Sequence, residues 1–426
     1  MLARRAVLIG VAAALAISSA ARAQAKATMR ISWWGSDDRH QKTLKLIKLW
    51  ESQNPGVTLT PEYGGFIGYQ DKLSTEFAGR NAPDIMQIAD NREALIASGR
   101  LLRLDEYVAS GALDLKDANA SVVDGLRVDG KLYSIPWGLA CGCFFADTAM
   151  FADSKLDLPG PGWTWDDFAR TAKALAKGGR YGSADIWAPA GTRSLRPFEY
   201  FLRQRGMTVF TARGKLGFGA PELTEWLTFW NELRKTGALP PAEVTALENG
   251  FETSPLVTGR AALYPINSSI ASSLQGLAKH PLAVMTFPNG VGSTALPGPK
   301  IGQYIDSSIQ VYVNAATRYK PQAAAFLNAI TNDPAMAKIH LMARGVPLSS
   351  KMTEAILPDI SPVERSMAAV IDYAAAHALG GVIAWPKAGS QMQDLMQRTH
   401  QQIAFDQTTV RQAVVQFQDE AGQIVE

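Results

Sequence analysis

From residue 29 onward, short continuously apolar runs alternate with longer stretches of helical periodicity, the order expected of sheets flanked by helices. Residues 29–32 read as a strand. Leu44, Ile47 and Trp50 then fall at i, i+3 and i+6, with Leu46 and Leu49 broadening the stripe and Lys42, Lys45 and Lys48 on the polar side. That pattern predicts an amphipathic helix. Asn54, Pro55 and Gly56 stop it, and residues 57–62 form a second strand at β-α-β spacing. Tyr69, Leu73 and Phe77 mark a second helix before a short buried strand at 85–88.

Further along, Asp129-Gly130 predicts a hairpin turn, and residues 134–138 run into an apolar strand holding Cys141 and Cys143. Thr164 reads as a helix N-cap, with Asp167 three residues on. Trp163, Trp165, Trp226 and Trp230 lie on helical spacings and are assigned to the core. A strand follows Gly259 and ends at Asn267, Ser268 and Ser269, and another strand and helix occupy 308–313 and 321–331. Val382 to Gly389 is an aromatic-bearing loop before a helix at 391–403. Gly/Pro-rich connectors near 138, 290–304 and 345 divide the chain as expected if it crosses three times between two lobes.

Composition adds a leader. Arg4 and Arg5 precede an apolar run from Ala6 to Ile17, and small-residue cleavage patterns fit after Ala23 or after Ala25. Residues 1–25 are therefore expected to be a signal peptide, with general secretion favoured over the twin-arginine route that Arg4-Arg5 also allows, giving a periplasmic protein. Residues 1–23 hold Arg4, Arg5 and Arg22 and no acid, so their removal takes the formal charge from +3 to zero. A chain without net charge is not expected to bind nucleic acid or an anionic surface. About 400 remaining residues at 47% apolar composition suffice for two cores. Cys141 and Cys143, two apart in one strand, are poorly placed for a disulfide and are read as buried thiols.

The candidate chemistry lies at strand ends. Residues 33–40 read as a loop that sets Trp33 and Trp34 beside Gly35 and the polar side chains of Asp38, Arg39 and His40. Aromatic faces cover the C–H face of a pyranose, and Asp, Arg and His bond its hydroxyls. Phe66 follows the second strand, and Asp90, Asn91 and Arg92 follow the third. Such carboxyl ends converge on a ligand in doubly wound sheets. Against an enzyme, the sequence has no Gly-x-Ser-x-Gly elbow, no His-Glu-x-x-His and no Gly-rich phosphate loop. The five histidines are scattered, so neither metal nor cofactor is expected.

Taken in order, several motifs resemble the carbohydrate-binding extracellular solute-binding proteins of ABC importers, the maltose-binding-protein-like superfamily. They are Ile31-Ser-Trp-Trp-Gly35, Asn54-Pro-Gly56, Gly79-Arg-Asn-Ala-Pro-Asp84 and Gly130-Lys-Leu-Tyr-Ser-Ile-Pro136, then Trp163-Thr-Trp-Asp-Asp-Phe168, Gly259-Arg-Ala-Ala-Leu263 and Gly345-Val-Pro347. The resemblance implies an α/β fold of two lobes, each a sheet flanked by helices, closing about a three-crossing hinge. It implies a first lobe of residues 26–139 plus 303–345 and a second of 140–302 plus 346–426. It also implies a non-enzymatic, monomeric protein that carries a carbohydrate to the importer's permease subunits. Ligand-binding residues expected from residues and resemblance together are Trp34, Asp38, Arg39, His40, Phe66, Asp90, Asn91, Arg92, Trp137, Asn267, Ser268, Ser269 and Arg344. No acid lies near Ala140 and Ser269 replaces an aromatic platform, so the resemblance does not extend to a maltodextrin ligand. Arg39, Arg92, Arg193, Arg196 and Arg344 fall where they can meet an acidic sugar, but Asp37, Asp38 and Asp90 accompany them and a neutral oligosaccharide is favoured.

Overall fold

The structure, a computed structural model, describes residues 26–66, 68–88, 92–189, 191, 194–290, 300–381, 385–386 and 388–425. The expected leader, Asp90, Asn91, Arg193 and much of the 290–299 connector and the 382–389 loop lie outside the described residues.

Two separate sheets organise the chain. In the first, β1 (Ala27–Trp34) pairs in parallel with β2 (Val57–Gly64) and β3 (Ile85–Gln87). Next to β3, β9 (Asp306–Val313) runs antiparallel between it and β4 (Ser134–Ala140). Helix α1 (Asp37–Gln53) packs on one face, where Leu46, Ile47 and Trp50 meet Met29, Ile31 and Trp33. Trp50 stands edge-on to Phe326 at 5.3 Å, bringing in α6 (Lys320–Asn332). On the other face, α2 (Tyr69–Ala78) lays Tyr69, Leu73 and Phe77 against Met86 and Tyr312. The second sheet orders β6 (Tyr181–Ser183), β7 (Ala261–Asn267), β5 (Gly142–Asp147) and β8 (Leu282–Met285). Its core is aromatic: Trp165 of α3 (Trp165–Leu175) stands perpendicular to Trp226 of α5 (Ala220–Lys235) at 5.3 Å.

Local signals were followed closely. Thr164 and Asp167 form a reciprocal capping box, and Asp129 and Gly130 both take left-handed φ in the turn between Val128 and Lys131. The four tryptophans assigned to the core are buried, as are both thiols. Burial pushes Cys141 up to about 12 against hydrogen bonds from Gln303 and Ser268, so it stays protonated. One local expectation fails. Residues 37–40 are not loop but the first turn of α1, where the acids Asp37 and Asp38 suit the positive end of the helix.

The chain passes between the sheets three times. β4 continues into β5 through Cys141, whose N–H donates to Ser268 Oγ at 3.1 Å and whose C=O accepts from Ser268 N–H at 2.9 Å. β8 returns through residues 286–305 to β9. The third passage runs from residue 343, beside β4, to α8 (Pro362–His377), which packs on β8. Within it, the helix Ser350–Ile356 rests on α7 (Pro334–His340). Asp117 accepts hydrogen bonds from Ser349, Ser350 and Lys351. First-lobe contacts therefore extend past residue 345, the limit expected from sequence, because a carboxylate fixed in the first lobe captures the start of that helix. Two further helices, α9 (Gly389–Ala404) and α10 (Val410–Ile424), complete the second lobe against α5.

Residue 345 meets β4 at close range: Gly345 has φ +104° and lies with an ideal Cβ only 2.2 Å from the Leu139 carbonyl oxygen. Gly345→Ala is expected to lower stability by about 2 kcal/mol or more through clash and backbone strain, read as a reduced midpoint in thermal or urea unfolding.

Candidate functional site

At the carboxyl ends of β1 and β2, the alternation of the strands sends Trp33 inward and leaves Trp34 half-buried on the opposite face. Tyr63, opposite Trp33 in the ladder, stacks on it with centroids 5.0 Å apart and is still 48% exposed. His40 lies 4.6 Å from the Tyr63 ring, and Trp33 Nε1–H donates to His40 Nδ1 at 3.1 Å. Burial and the charge of Arg344 hold His40 below its usual pKa, so Nδ1 is free to accept and the ring proton sits on Nε2. Trp34 packs edge-on against Tyr69 at 5.1 Å and Phe66 at 5.6 Å, and Phe66 is 55% exposed. Two partly exposed aromatic surfaces thus flank the start of α1.

Arg39 turns back from that first turn under Gly35, where any Cβ would lie 2.9 Å from the Arg39 Cβ. Its Nε donates to the Ala343 carbonyl at 2.7 Å and its Nη2 to the Ser269 carbonyl at 3.0 Å. One side chain therefore joins the first lobe, the third passage and the end of β7 in the second lobe. Burial lowers Arg39 to about 10, with Asp38 opposing, so it remains a cation at neutral pH. Arg344 is wholly buried; its guanidinium lies 4.1 Å from the Trp137 ring centre, and its Nη1 donates to His340 Nε2 at 2.8 Å. Trp137 also stacks on His340 at 5.8 Å. Burial, reinforced by Arg344, drives His340 well below its ordinary pKa, which makes it a neutral acceptor.

The expected residues divide accordingly. Arg39, Trp137, Ser269 and Arg344 come together at the hinge side, with His40 close in electrostatic range, and Trp34 and Phe66 form a neighbouring aromatic surface. Asp38 is exposed and pairs with Lys42 at 3.0 Å. Arg92 opens a short helix and pairs with Glu93 at 2.6 Å. Asn267 is exposed and caps the turn after β7 by accepting from Ser269 N–H, and Ser268 is buried in the Cys141 crossing.

Sequence reasoning left out Tyr63, although its Gly-flanked position at a strand end was a usable signal. Of a second-lobe cluster on α4 (Leu195–Arg203) it named Arg196 but not the partners Glu199, Tyr304 and Trp385. There Arg196 lies 4.5 Å from the Trp385 ring centre, 3.3 Å from the buried Glu199 and 3.9 Å from Asp306. Trp385 Nε1–H and Tyr304 O–H both donate to Glu199, at 3.2 and 2.8 Å. Burial raises the Glu199 carboxyl's pKa against the pull of Arg196. The aromatic Trp385 was visible in its loop; the acid on an otherwise apolar helix face was the signal for its partner. No group of three or more His, Cys, Asp or Glu among the described residues is placed to hold a metal ion.

Comparison with known proteins supplies the class. Residues 36–337 match the bacterial extracellular solute-binding protein family. Extracellular solute-binding protein family 1 from Alicyclobacillus acidocaldarius is 28% identical, with TM-score 0.72 over 94% of this chain and 99% of that one. A periplasmic oligogalacturonide-binding protein from Yersinia enterocolitica, solved with saturated digalacturonic acid, shares the fold at TM-score 0.77 and 22% identity, covering 94% and 98% of the two chains. An uncharacterised lipoprotein from the oleD 5' region of Streptomyces antibioticus is 28% identical over 177 residues, 39% of this chain and 38% of that one. With the family model matched across both sheets and the two-lobed architecture in place, the chain belongs to the bacterial extracellular solute-binding proteins.

Proposed function

We propose that this solute-binding protein captures a carbohydrate, an oligosaccharide, and hands it to the permease subunits of an ABC importer as an exported periplasmic monomer. The observation that carries the reading is the pair of aromatic surfaces flanking the start of α1: the exposed face of Tyr63, backed by Trp33 and His40, and that of Phe66, backed by Trp34, suit sugar rings. The digalacturonic acid held by the Yersinia relative, which shares the fold, is consistent with a saccharide of more than one ring. On this reading Trp34, Tyr63 and Phe66 stack on sugar rings. His40, Asp38, Arg39, Asp90, Asn91 and Arg92 bond hydroxyls from the first lobe, and Trp137, Asn267, Ser269 and Arg344 complete the hinge side. Ser268 acts through Cys141 rather than on ligand. The lobes comprise residues 26–139 with 303–356, and 140–302 with 357–426.

Binding should be reversible, stoichiometric and without turnover. Micromolar affinity, about −8 kcal/mol, lets a carrier both hold and release its load. Isothermal titration across a panel of mono- and oligosaccharides measures this, and silence at millimolar sugar would end the carbohydrate reading. Unaltered glycans after prolonged incubation would set binding apart from hydrolysis.

Trp34→Ala and Tyr63→Ala should each weaken sugar binding about tenfold with circular dichroism unchanged. Losing an aromatic partner removes about 0.5–1.5 kcal/mol beyond the area it buried. Wild-type affinity in both variants would place the cleft elsewhere.

Ligand should also draw the lobes together about the three passages. Solution scattering should then show a smaller radius of gyration at saturating sugar, whereas an identical profile with binding verified would argue against closure.

A further inference from the structure

Two guanidiniums are buried at the hinge side with too little negative charge around them. Arg39 spends Nε and Nη2 on the Ala343 and Ser269 carbonyls, which are dipoles rather than charges. Arg344 has only His340, a neutral imidazole, on Nη1, and its Nε and Nη2 have no hydrogen-bond partner among the described residues. The acids of the same turn do not answer this. Asp37 and Asp38 are exposed, and Asp38 is held by Lys42. Lys42 itself adds positive charge, and Trp137 offers Arg344 a ring face, not an anion.

We infer that Arg344, assisted by Arg39, forms a site for one carboxylate. The geometry selects the class. Nε–H and the nearer Nη2–H lie side by side on one edge of a guanidinium, the fork that takes both oxygens of a carboxylate in parallel. On Arg344 the two donors of that edge are buried without a hydrogen-bond partner among the described residues, while Nη1 is committed to His340. Although burial lowers Arg344 below its usual pKa, a guanidinium stays protonated in a protein, so an anion is the group that would meet its charge. Burial of the residue excludes bulky polyanions and favours a planar, singly charged group. The chain's zero net charge after loss of residues 1–23 does not bear on this, because a buried charge responds to neighbours within a few ångströms.

A carboxylate reaches the site from either of two sources: a small free acid, or the uronic acid of a bound sugar. The second rests on the carbohydrate-binding reading above. Titrations of the purified protein with galacturonate, digalacturonate, galactose and sodium acetate, the last against sodium chloride at equal ionic strength, separate them. If the sugar carries the carboxylate, the uronates bind at least tenfold more tightly than galactose in the wild type. That preference disappears in Arg344→Gln and is partly kept in Arg344→Lys, which restores the charge without the fork. If a free acid fills the site, acetate binds the wild type alone and Arg344→Gln abolishes it. Thermal unfolding of the variants checks that they are folded, and Arg344→Lys alone serves if Arg344→Gln is not. Equal affinity for uronate and galactose, together with no acetate binding, overturns the carboxylate site while leaving sugar binding in place. Acetate binding that depends on Arg344, without any sugar binding, upholds the site and removes the carbohydrate reading.

Discussion

Everything at the hinge depends on one close approach between two backbones. Residues 343–346 lie directly on β4, with Leu139 N–H donating to Val346 O at 2.6 Å and Val346 N–H returning to Leu139 O at 2.9 Å. An ideal Cβ at residue 138 would fall 2.3 Å from the Arg344 carbonyl oxygen, so only glycine fits on that side. Gly345 supplies the matching left-handed turn on the other. This contact fixes Arg344 over Trp137, sets the Ala343 carbonyl where Arg39 can reach it, and ties the third passage to the first. A larger residue at 138 would separate those strands and with them every polar group built around Arg344.

The second constraint is electrostatic. In a low-dielectric site, a charge is stabilised by its immediate partners, and a half-satisfied polar network is worse than an apolar core. Arg39 is satisfied by two main-chain carbonyls drawn from different parts of the chain, which makes it a connector between lobes as well as a cation. Arg344 is not satisfied in the same way. The contrast with the second-lobe cluster is instructive: Arg196 has Glu199, Asp306 and the face of Trp385, and its pKa is raised because those acids outweigh its burial. Arg344 instead falls well below its usual value, first through burial and then through Arg39. The two arginines thus differ in whether the protein or an incoming group completes them, Arg196 being partly exposed and Arg344 wholly buried.

The fold was largely legible because its signals are local and repeated. The 3.6-residue stripe of Leu44, Ile47 and Trp50, the capping box at Thr164 and Asp167, the Asp129-Gly130 turn and the apolar strand runs each depend on a few neighbours. The start of α1 was misplaced because Trp33 to His40 contains good turn residues, and the preference of Asp37 and Asp38 for a helix's positive end had to be weighed against it. The site was legible in type more than in arrangement. Arg39, Trp137, Ser269 and Arg344 were all named, yet nothing in their spacing shows that residues 230 and 304 positions away supply carbonyls to Arg39. Main-chain acceptors carry no side-chain signature. Ser268 looked like a ligand for the same reason: its hydroxyl is used by the backbone of Cys141, a partner invisible until the first crossing folds.

The Arg39 connection also bears on how such a protein chooses between ligand-free and ligand-bound states. A charged hydrogen bond contributes about 1.5–3 kcal/mol net, so the bond from Arg39 to Ser269 biases the lobes toward each other without locking them. A ligand held with about −8 kcal/mol has enough differential binding energy to decide that equilibrium, provided it touches both lobes. The aromatic surfaces of Tyr63 and of Trp34 with Phe66 belong to the first lobe alone and cannot shift the balance by themselves. Groups at the junction can. Arg39 already contacts both lobes, and a ligand group meeting it or its neighbour Arg344 would be felt by each. In the proposed carrier, stacking then supplies affinity and the buried arginines convert it into closure.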